Sequence, residues 1–166
     1  MRKVSENNSL KKEIRKLLEL CKKDEKENGE KRSFFNEPVT EEEMVNWEKR
    51  NGVKIPESYK EWLRFSGKCR IAGNTATFWG PSEFHSDHVP KDLVAIGEMI
   101  GDGEKVCFSK NDGIFVRMFE GKTEEFDDFT CVLKEIIKLM DDDKPILSEE
   151  RYLEILQKIK EKRNKE

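Results

Sequence analysis

Apolar residues recur at intervals of three and four in several stretches of the chain, which is the spacing of an amphipathic helix. After Ser9, a residue type that caps helices, this spacing predicts a helix over residues 10–27. The next helix is predicted from Glu41 to about Asn51, because Thr40 and Glu43 form a capping box. The first part of the chain is therefore expected to be mainly helical.

Three further helices are indicated. Pro56 suits the first turn of a helix that would bury Tyr59 and Trp62. The strongest helical pattern lies between Phe129 and Met140, where apolar residues recur at i, i+3, i+4, i+7, i+8 and i+11. A last helix is expected from Ser148, and it leads into a charged tail.

Between residues 69 and 119 the pattern changes to short apolar runs separated by turn residues, which is typical of strands. Five strands are predicted, at Cys69–Ala72, Thr75–Trp79, Leu93–Ile96, Val106–Ser109 and Ile114–Phe119. The last two flank Lys110-Asn111-Asp112-Gly113, a tight-turn composition that favours an antiparallel hairpin. This order of elements predicts an α+β fold, an antiparallel twisted sheet flanked by helices.

The distribution of charge divides the chain into three parts, although its 166 residues suit one domain. Residues 1–36, a predicted N-terminal helical extension, carry 11 Lys and Arg against 7 Asp and Glu. Residues 37–143, the predicted α+β domain, carry 14 against 23, and residues 144–166, the predicted C-terminal helix and tail, carry 7 against 5. The acidic middle disfavours nucleic acid and anionic membranes as partners and favours a protein with a basic surface.

The sequence contains no run of apolar residues long enough for a membrane span and no apolar stretch of a secretory signal near Met1. We therefore expect a cytoplasmic protein. The four cysteines are far apart and lack the spacing of a zinc site, so reduced and mostly buried thiols are expected, with no cofactor.

One segment raises the alternative of an enzyme. Glu83, His85, Asp87 and His88 lie within six residues and could form a metal site or a His–Asp catalytic pair. The preferred interpretation is a turn and short helix capped by Ser82, followed by a polar surface loop. No catalytic residue is predicted, because no further partner stands at a fixed spacing.

Two stretches of the sequence contain a recognisable series of motifs. The first, Val39 to Leu63, contains the capping box and Gly52-Val53-Lys54-Ile55-Pro56-Glu57-Ser58-Tyr59. The second joins Val94-Ala95-Ile96-Gly97 and Gly101-Asp102-Gly103 to the segment from Phe126 to Ile137. Together they resemble the SUKH superfamily: the first is similar to that family's opening pair of helices, and the second to its strand pair and closing helix. The resemblance covers roughly residues 39–140.

The resemblance implies a twisted sheet flanked by helices with no catalytic centre. Many bacterial members of the superfamily are immunity proteins that bind and inhibit toxins, often nucleases, and the fungal Smi/Knr relatives regulate cell-wall synthesis as interaction hubs. The expected function is therefore non-enzymatic neutralisation of a toxin. The alternative is a regulatory interaction scaffold for cell-wall or signalling proteins, with the basic helix at 10–27 as its docking element.

The predicted partner-binding residues are one aromatic anchor and the carboxylates of the loops and strand ends. Trp79 is chosen because tryptophan is enriched among interface hot spots. The carboxylates would together form an acidic face for a basic toxin, bound by a monomer or weak dimer. They are Glu98, Asp102, Glu104, Asp112, Glu124, Glu125, Asp127 and Asp128.

Overall fold

The computed structural model of the chain describes residues 3–100, 104–119, 121–141 and 149–164. The helices are α1 (Lys11–Asn28), α2 (Glu41–Asn51), α3 (Glu57–Phe65), α4 (Phe129–Met140) and α5 (Glu149–Asn164). The strands are β1 (Phe34–Phe35), β2 (Cys69–Ile71), β3 (Ala76–Phe78), β4 (Leu93–Met99), β5 (Lys105–Ser109), β6 (Phe115–Phe119) and β7 (Lys122–Phe126).

The seven strands form one sheet in which each strand pairs antiparallel with the next along the chain. Short turns join β2 to β3, β5 to β6 and β6 to β7, whereas helices α2 and α3 lie in the connection between β1 and β2. The predicted α+β fold with flanking helices is confirmed, and so is the hairpin of β5 and β6.

Two strands were not predicted, and both lie at the edges of the sheet. β1 has only two residues and pairs with β2, while β7 pairs with β6. The sequence of β7, Lys-Thr-Glu-Glu-Phe, is mostly polar and lacks the short apolar run on which the strand predictions rest. Edge strands often carry charged side chains, so their hydrophobic pattern is weak.

The helix starts follow local capping chemistry. The Thr40 hydroxyl accepts the Glu43 N–H of α2 as predicted, and the Asp128 carboxylate accepts the Cys131 N–H of α4. The predicted Ser9 cap of α1 is wrong. The Asn8 side-chain oxygen instead accepts the Leu10 N–H at 2.8 Å.

The main core lies between one face of the sheet and helices α1 to α4. Its centre is aromatic: Tyr59, Trp62 and Phe78 are fully buried around Phe129, with ring centroids 4.8 to 5.6 Å from that of Phe129. Helix α1 and its N-cap residue Leu10 add six buried apolar residues to this core: Leu10, Ile14, Leu17, Leu18, Leu20 and Cys21. Residues 1–36 are therefore not an appendage, because they supply both a core helix and strand β1.

The opposite face of the sheet carries a smaller apolar cluster, made by Leu93, Ala95, Cys107 and Val116. Its partial cover comes from the connection between β3 and β4, which contains a short 3₁₀ turn at Pro81–Glu83 and packs Val89 against the cluster. The predicted Ser82 cap is absent, since Gly80 occupies the cap position of this turn. The rest of this face is free of helices among the described residues.

Candidate protein-binding surface

A row of paired residues crosses the whole sheet on the side away from the helices. Side chains alternate between the two faces of a strand, so cross-strand partners share one face. The row is Phe34, Arg70, Thr77, Glu98, Lys105, Met118 and Thr123. We call this row, with Trp79 and Glu125 beside it, the open face.

A shallow groove of about 580 Å³ lies on the β1 side of the open face, with Phe34, Arg70, Thr77 and Glu98 among its lining residues. Phe34 is 46% exposed, which is unusual for a phenylalanine within a sheet. The Lys31 ammonium lies 5.3 Å from its ring centroid, a cation–π distance. The groove therefore combines an exposed aromatic ring with side chains of positive and of negative charge.

Trp79 lies near the middle of the open face and is held there by the backbone. Its N–H donates to the Ile96 carbonyl at 2.8 Å, at a β-bulge where Gly97 is the close-packed residue. A Cβ added at Gly97 would stand 2.3 Å from the Thr77 carbonyl oxygen, so a glycine is required there. Trp79 is half-buried, and its indole contacts His85 and lies 5.4 Å from the Lys105 ammonium.

Three of the predicted partner-binding residues share the open face: Trp79, Glu98 and Glu125. Glu98 forms an ion pair with Lys105, its cross-strand neighbour, so its charge is compensated locally. Glu125 is exposed on the edge strand β7 and takes part in no ion pair among the described residues. Only one of the two carboxylates therefore adds net negative charge to the face.

Three other predicted residues, Asp112, Asp127 and Asp128, lie together at one end of the sheet. Asp112 is in the β5–β6 turn, and the two neighbouring aspartates follow β7, whose last residue pairs with the first residue of β6. All three are exposed. Two of them also stabilise the local backbone: the Asp112 carboxylate accepts the Ile114 N–H, and the Asp128 carboxylate caps α4. We call these three residues the acidic end.

The structure does not place Glu104 and Glu124 on an exposed acidic surface with the other predicted residues. Both point to the helix side of the sheet, where they approach Arg117 with ion-pair distances of 3.0 and 2.8 Å. Glu104 is 0% exposed, so a partner cannot reach it in this structure. The sequence pattern missed this because it treated loop and strand carboxylates alike, without assigning a face to β7.

Burial is the main electrostatic influence on Glu104. It raises the pKa of the Glu104 carboxyl to about 7, against the opposing effect of the Arg117 and Arg163 guanidinium groups. The nearby carboxylates of Glu124 and Glu135 raise that pKa further. These charged side chains thus form an internal network in which Glu104 is the group that titrates near neutral pH. Asp102, the remaining predicted residue, lies outside the described residues.

The residues that the sequence suggested as an alternative metal site do not come together in the fold. His85 pairs with Ala95 in an isolated bridge and contacts Trp79, while Glu83 forms an ion pair with Lys68. Within the described ranges, no three His, Cys, Asp or Glu side chains come together as metal ligands would. This segment acts as the partial cover of the open face.

The cysteines are free thiols, and three of them are buried. Burial raises the pKa of Cys107 on the open-face side to about 12, and that of Cys69 in the main core to about 12. Thiols with such values are protonated at neutral pH and are poor nucleophiles.

Six members of the open face were not predicted as binding residues: Phe34, Arg70, Thr77, Lys105, Met118 and Thr123. In β5 the residues Val106 and Phe108 alternate with Cys107, and the same alternation places Lys105 on the face of Cys107. What the sequence lacked was the register that joins the strands into one row. Phe34 could not be found without β1.

Comparison with known proteins agrees with this architecture. Residues 38–135 match the SMI1 / KNR4 family (SUKH-1). The chain belongs to this family, and the family expected from the resemblance is confirmed. No curated protein matches the chain. None of the helices in the described residues combines the length and apolar character needed to cross a membrane.

Proposed function

We propose that this chain is an immunity-type protein that binds and neutralises a toxin with a basic surface, such as a nuclease. The observation that carries the proposal is a SUKH-1 domain whose sheet, within the described ranges, has one face without an α-helix, crossed by a row of exposed and half-buried side chains. Domains of this family generally bind other proteins and have no catalytic centre, which supports a non-enzymatic role.

The charges beside the open face supply long-range attraction. Glu125 and the acidic end are exposed and form no ion pairs among the described residues, so their field extends into the solvent. A nuclease site is built to hold phosphates and is therefore positive. Opposite charges accelerate encounter by steering, and salt weakens that effect.

Short-range contact is assigned to the open face. The backbone of Trp79 is fixed by its hydrogen bond to Ile96, and its indole is packed against His85 and Lys105, so less side-chain freedom remains to be lost on binding. Phe34 and Met118 extend the apolar contact along the row to either side. These residues would set the lifetime of the complex, whereas the carboxylates would set its rate of formation.

The test compares association rates for the toxin encoded beside this chain. The variant Glu125→Gln/Asp127→Asn removes two exposed charges without touching a helix cap. We expect association to slow by about fivefold at low salt and to depend less on salt. The control is Glu25→Gln/Glu30→Gln, which makes the same change in net charge near the other end of the sheet and should associate like the unmodified chain.

Two outcomes would contradict the proposal. Equal slowing by both variants would mean that only net charge matters, and no binding of the neighbouring toxin by the unmodified chain would remove its basis. Co-expression gives the cellular readout. The unmodified chain should protect cells from the toxin, and Trp79→Ala should protect them less because the complex dissociates faster.

The alternative function is a scaffold that docks through helix α1, and the structure changes how this alternative can be tested. The apolar side of α1 is part of the core, so deleting residues 1–36 would unfold the domain rather than remove a docking element. A variant that tests docking without disturbing the core is Lys12→Glu/Lys16→Glu, which changes two residues on the exposed side of α1. Loss of a cellular partner in that variant, with toxin binding intact, would favour the scaffold.

A further inference from the structure

Helix α5 lies on the helix side of the sheet and contacts it through few groups. Ile155 and Ile159, one turn apart, are buried against the main core. The Arg163 guanidinium, at the far end of the helix, donates to the Phe119 carbonyl oxygen at 3.1 Å. Leu153, in contrast, is 57% exposed. One narrow stripe of α5 therefore makes the contact.

The surface beneath α5 carries a cluster of carboxylates. The sheet and α4 contribute Glu104, Glu124 and Glu135, which surround the guanidinium of Arg117. Helix α5 adds two cations to this cluster. Lys162 Nζ lies 3.2 Å from Glu124, and the Arg163 guanidinium lies 3.9 Å from Glu104. We call the four charged residues of the sheet and α4, with Leu139, the α5 site.

The fit between α5 and this site is incomplete. A cavity of about 180 Å³ remains between α4 and α5. Its apolar lining is Leu139, Ile155 and Ile159, and its charged lining is Arg117, Glu135, Lys138, Lys158 and Lys162. Neither carboxylate oxygen of Glu104 accepts a hydrogen bond from a described residue, although Arg117 Nε is 3.0 Å from one of them. A buried, imperfectly paired carboxylate favours any ligand that supplies a better donor.

We propose that the α5 site is a receptor for a cationic amphipathic helix of a partner protein, which binds there in place of α5. The recognised pattern is the one that α5 itself presents: two apolar residues at i and i+4, followed by basic residues at i+7 and i+8. The apolar pair fills the space beside Leu139, and the basic pair approaches the carboxylates of Glu124 and Glu104. This receptor lies on the opposite side of the sheet from the open face and does not depend on the toxin proposal.

The probe is a fluorescent synthetic peptide with the sequence of residues 149–166, added to the full chain. In the unmodified chain the resident α5 competes at high effective concentration, so binding should be weak. The full-chain variant Ile159→Asp weakens the resident helix, and we expect it to bind the peptide at least about tenfold more tightly. A matched variant, Leu153→Asp, makes the same kind of change at a residue of α5 that is 57% exposed and does not line the cavity, and it should behave like the unmodified chain.

Displacement and charge recognition are measured separately. At saturating peptide, amide hydrogen exchange in residues 153–163 of the unmodified chain should become faster, because the resident helix is released. A peptide with glutamate at the positions of Lys162 and Arg163 should bind at least about tenfold more weakly. If circular dichroism shows that Ile159→Asp is unfolded, Arg163→Glu replaces it as the variant with a weakened helix.

Several results would overturn the proposal. A folded variant with weakened α5 that binds no peptide would show that the site cannot take a free helix. Peptide binding without faster exchange in α5 would place the peptide elsewhere, and equal binding of the charge-reversed peptide would remove the charge pattern. A concentration-dependent dimer that the peptide dissociates would assign the site to a second copy of the chain instead.

Discussion

Two neighbouring residues of strand β7 have opposite environments. Glu124 points towards the helices and meets Arg117 at 2.8 Å, whereas Glu125 points away from them and is exposed. The same contrast separates Glu104 in the interior from Asp127 at the acidic end. Carboxylates that are close in the sequence thus serve two purposes: one group balances buried cations, and the other leaves an external field. Net charge alone does not reveal which is which.

The largest effect is expected from removing the cation of the interior group. Arg117→Met leaves Glu104 buried without its nearest partner, which should lower the free energy of unfolding by about 3–5 kcal/mol at pH 8. Urea unfolding measures this loss. Lys134→Met, an exposed residue of α4, is the control and should change stability by less than about 0.5 kcal/mol. A small loss for Arg117→Met would contradict a buried charge network.

A smaller effect, dependent on pH, is expected from Glu104. Its pKa is raised to about 7 in the folded chain, above the ordinary value of 4.5, so the folded state binds the proton more tightly. The contribution of Glu104 to the free energy of unfolding therefore falls as pH rises from about 4.5 to about 7. Relative to Glu104→Gln, the unmodified chain should lose on the order of 1 kcal/mol or more across this range. Parallel pH profiles of the two proteins would refute the assignment.

The smallest effect on stability is expected from the exterior group. Glu125→Gln/Asp127→Asn should leave the free energy of unfolding within about 0.5 kcal/mol of the unmodified chain, because both side chains are exposed. The same variant is predicted to slow toxin association. Its thermal and urea unfolding curves therefore test the difference between the interior and the exterior carboxylates. A destabilised variant would mean that the exterior carboxylates also support the fold.

Much of the fold was accessible from the sequence because local signals agreed with the global arrangement. The capping box at Thr40 and the apolar spacing from Phe129 to Met140 each predicted a helix that the structure contains. The edge strands β1 and β7 were missed, since one is too short to show alternation and the other is mostly polar. Propensity is weakest where pairing with a neighbour decides the structure.

The candidate site was less accessible, for a related reason. Trp79 could be selected from its position after a strand and before Gly80-Pro81. The row from Phe34 to Thr123 depends on the register of six strand pairs, which local patterns do not fix. The burial of Glu104 depends on Arg117 and Arg163, which are distant in sequence and meet only in the folded chain.

The most direct test of the open face as the toxin-binding surface is oxidative footprinting of the chain with and without the neighbouring toxin. Phe34, Trp79 and Met118 report on the open face, while Val45, 42% exposed on α2, reports on the helix layer. We predict that the toxin protects the first three side chains from oxidation and leaves Val45 unchanged. Protection of Val45 with unchanged oxidation of Phe34, Trp79 and Met118 would contradict the account.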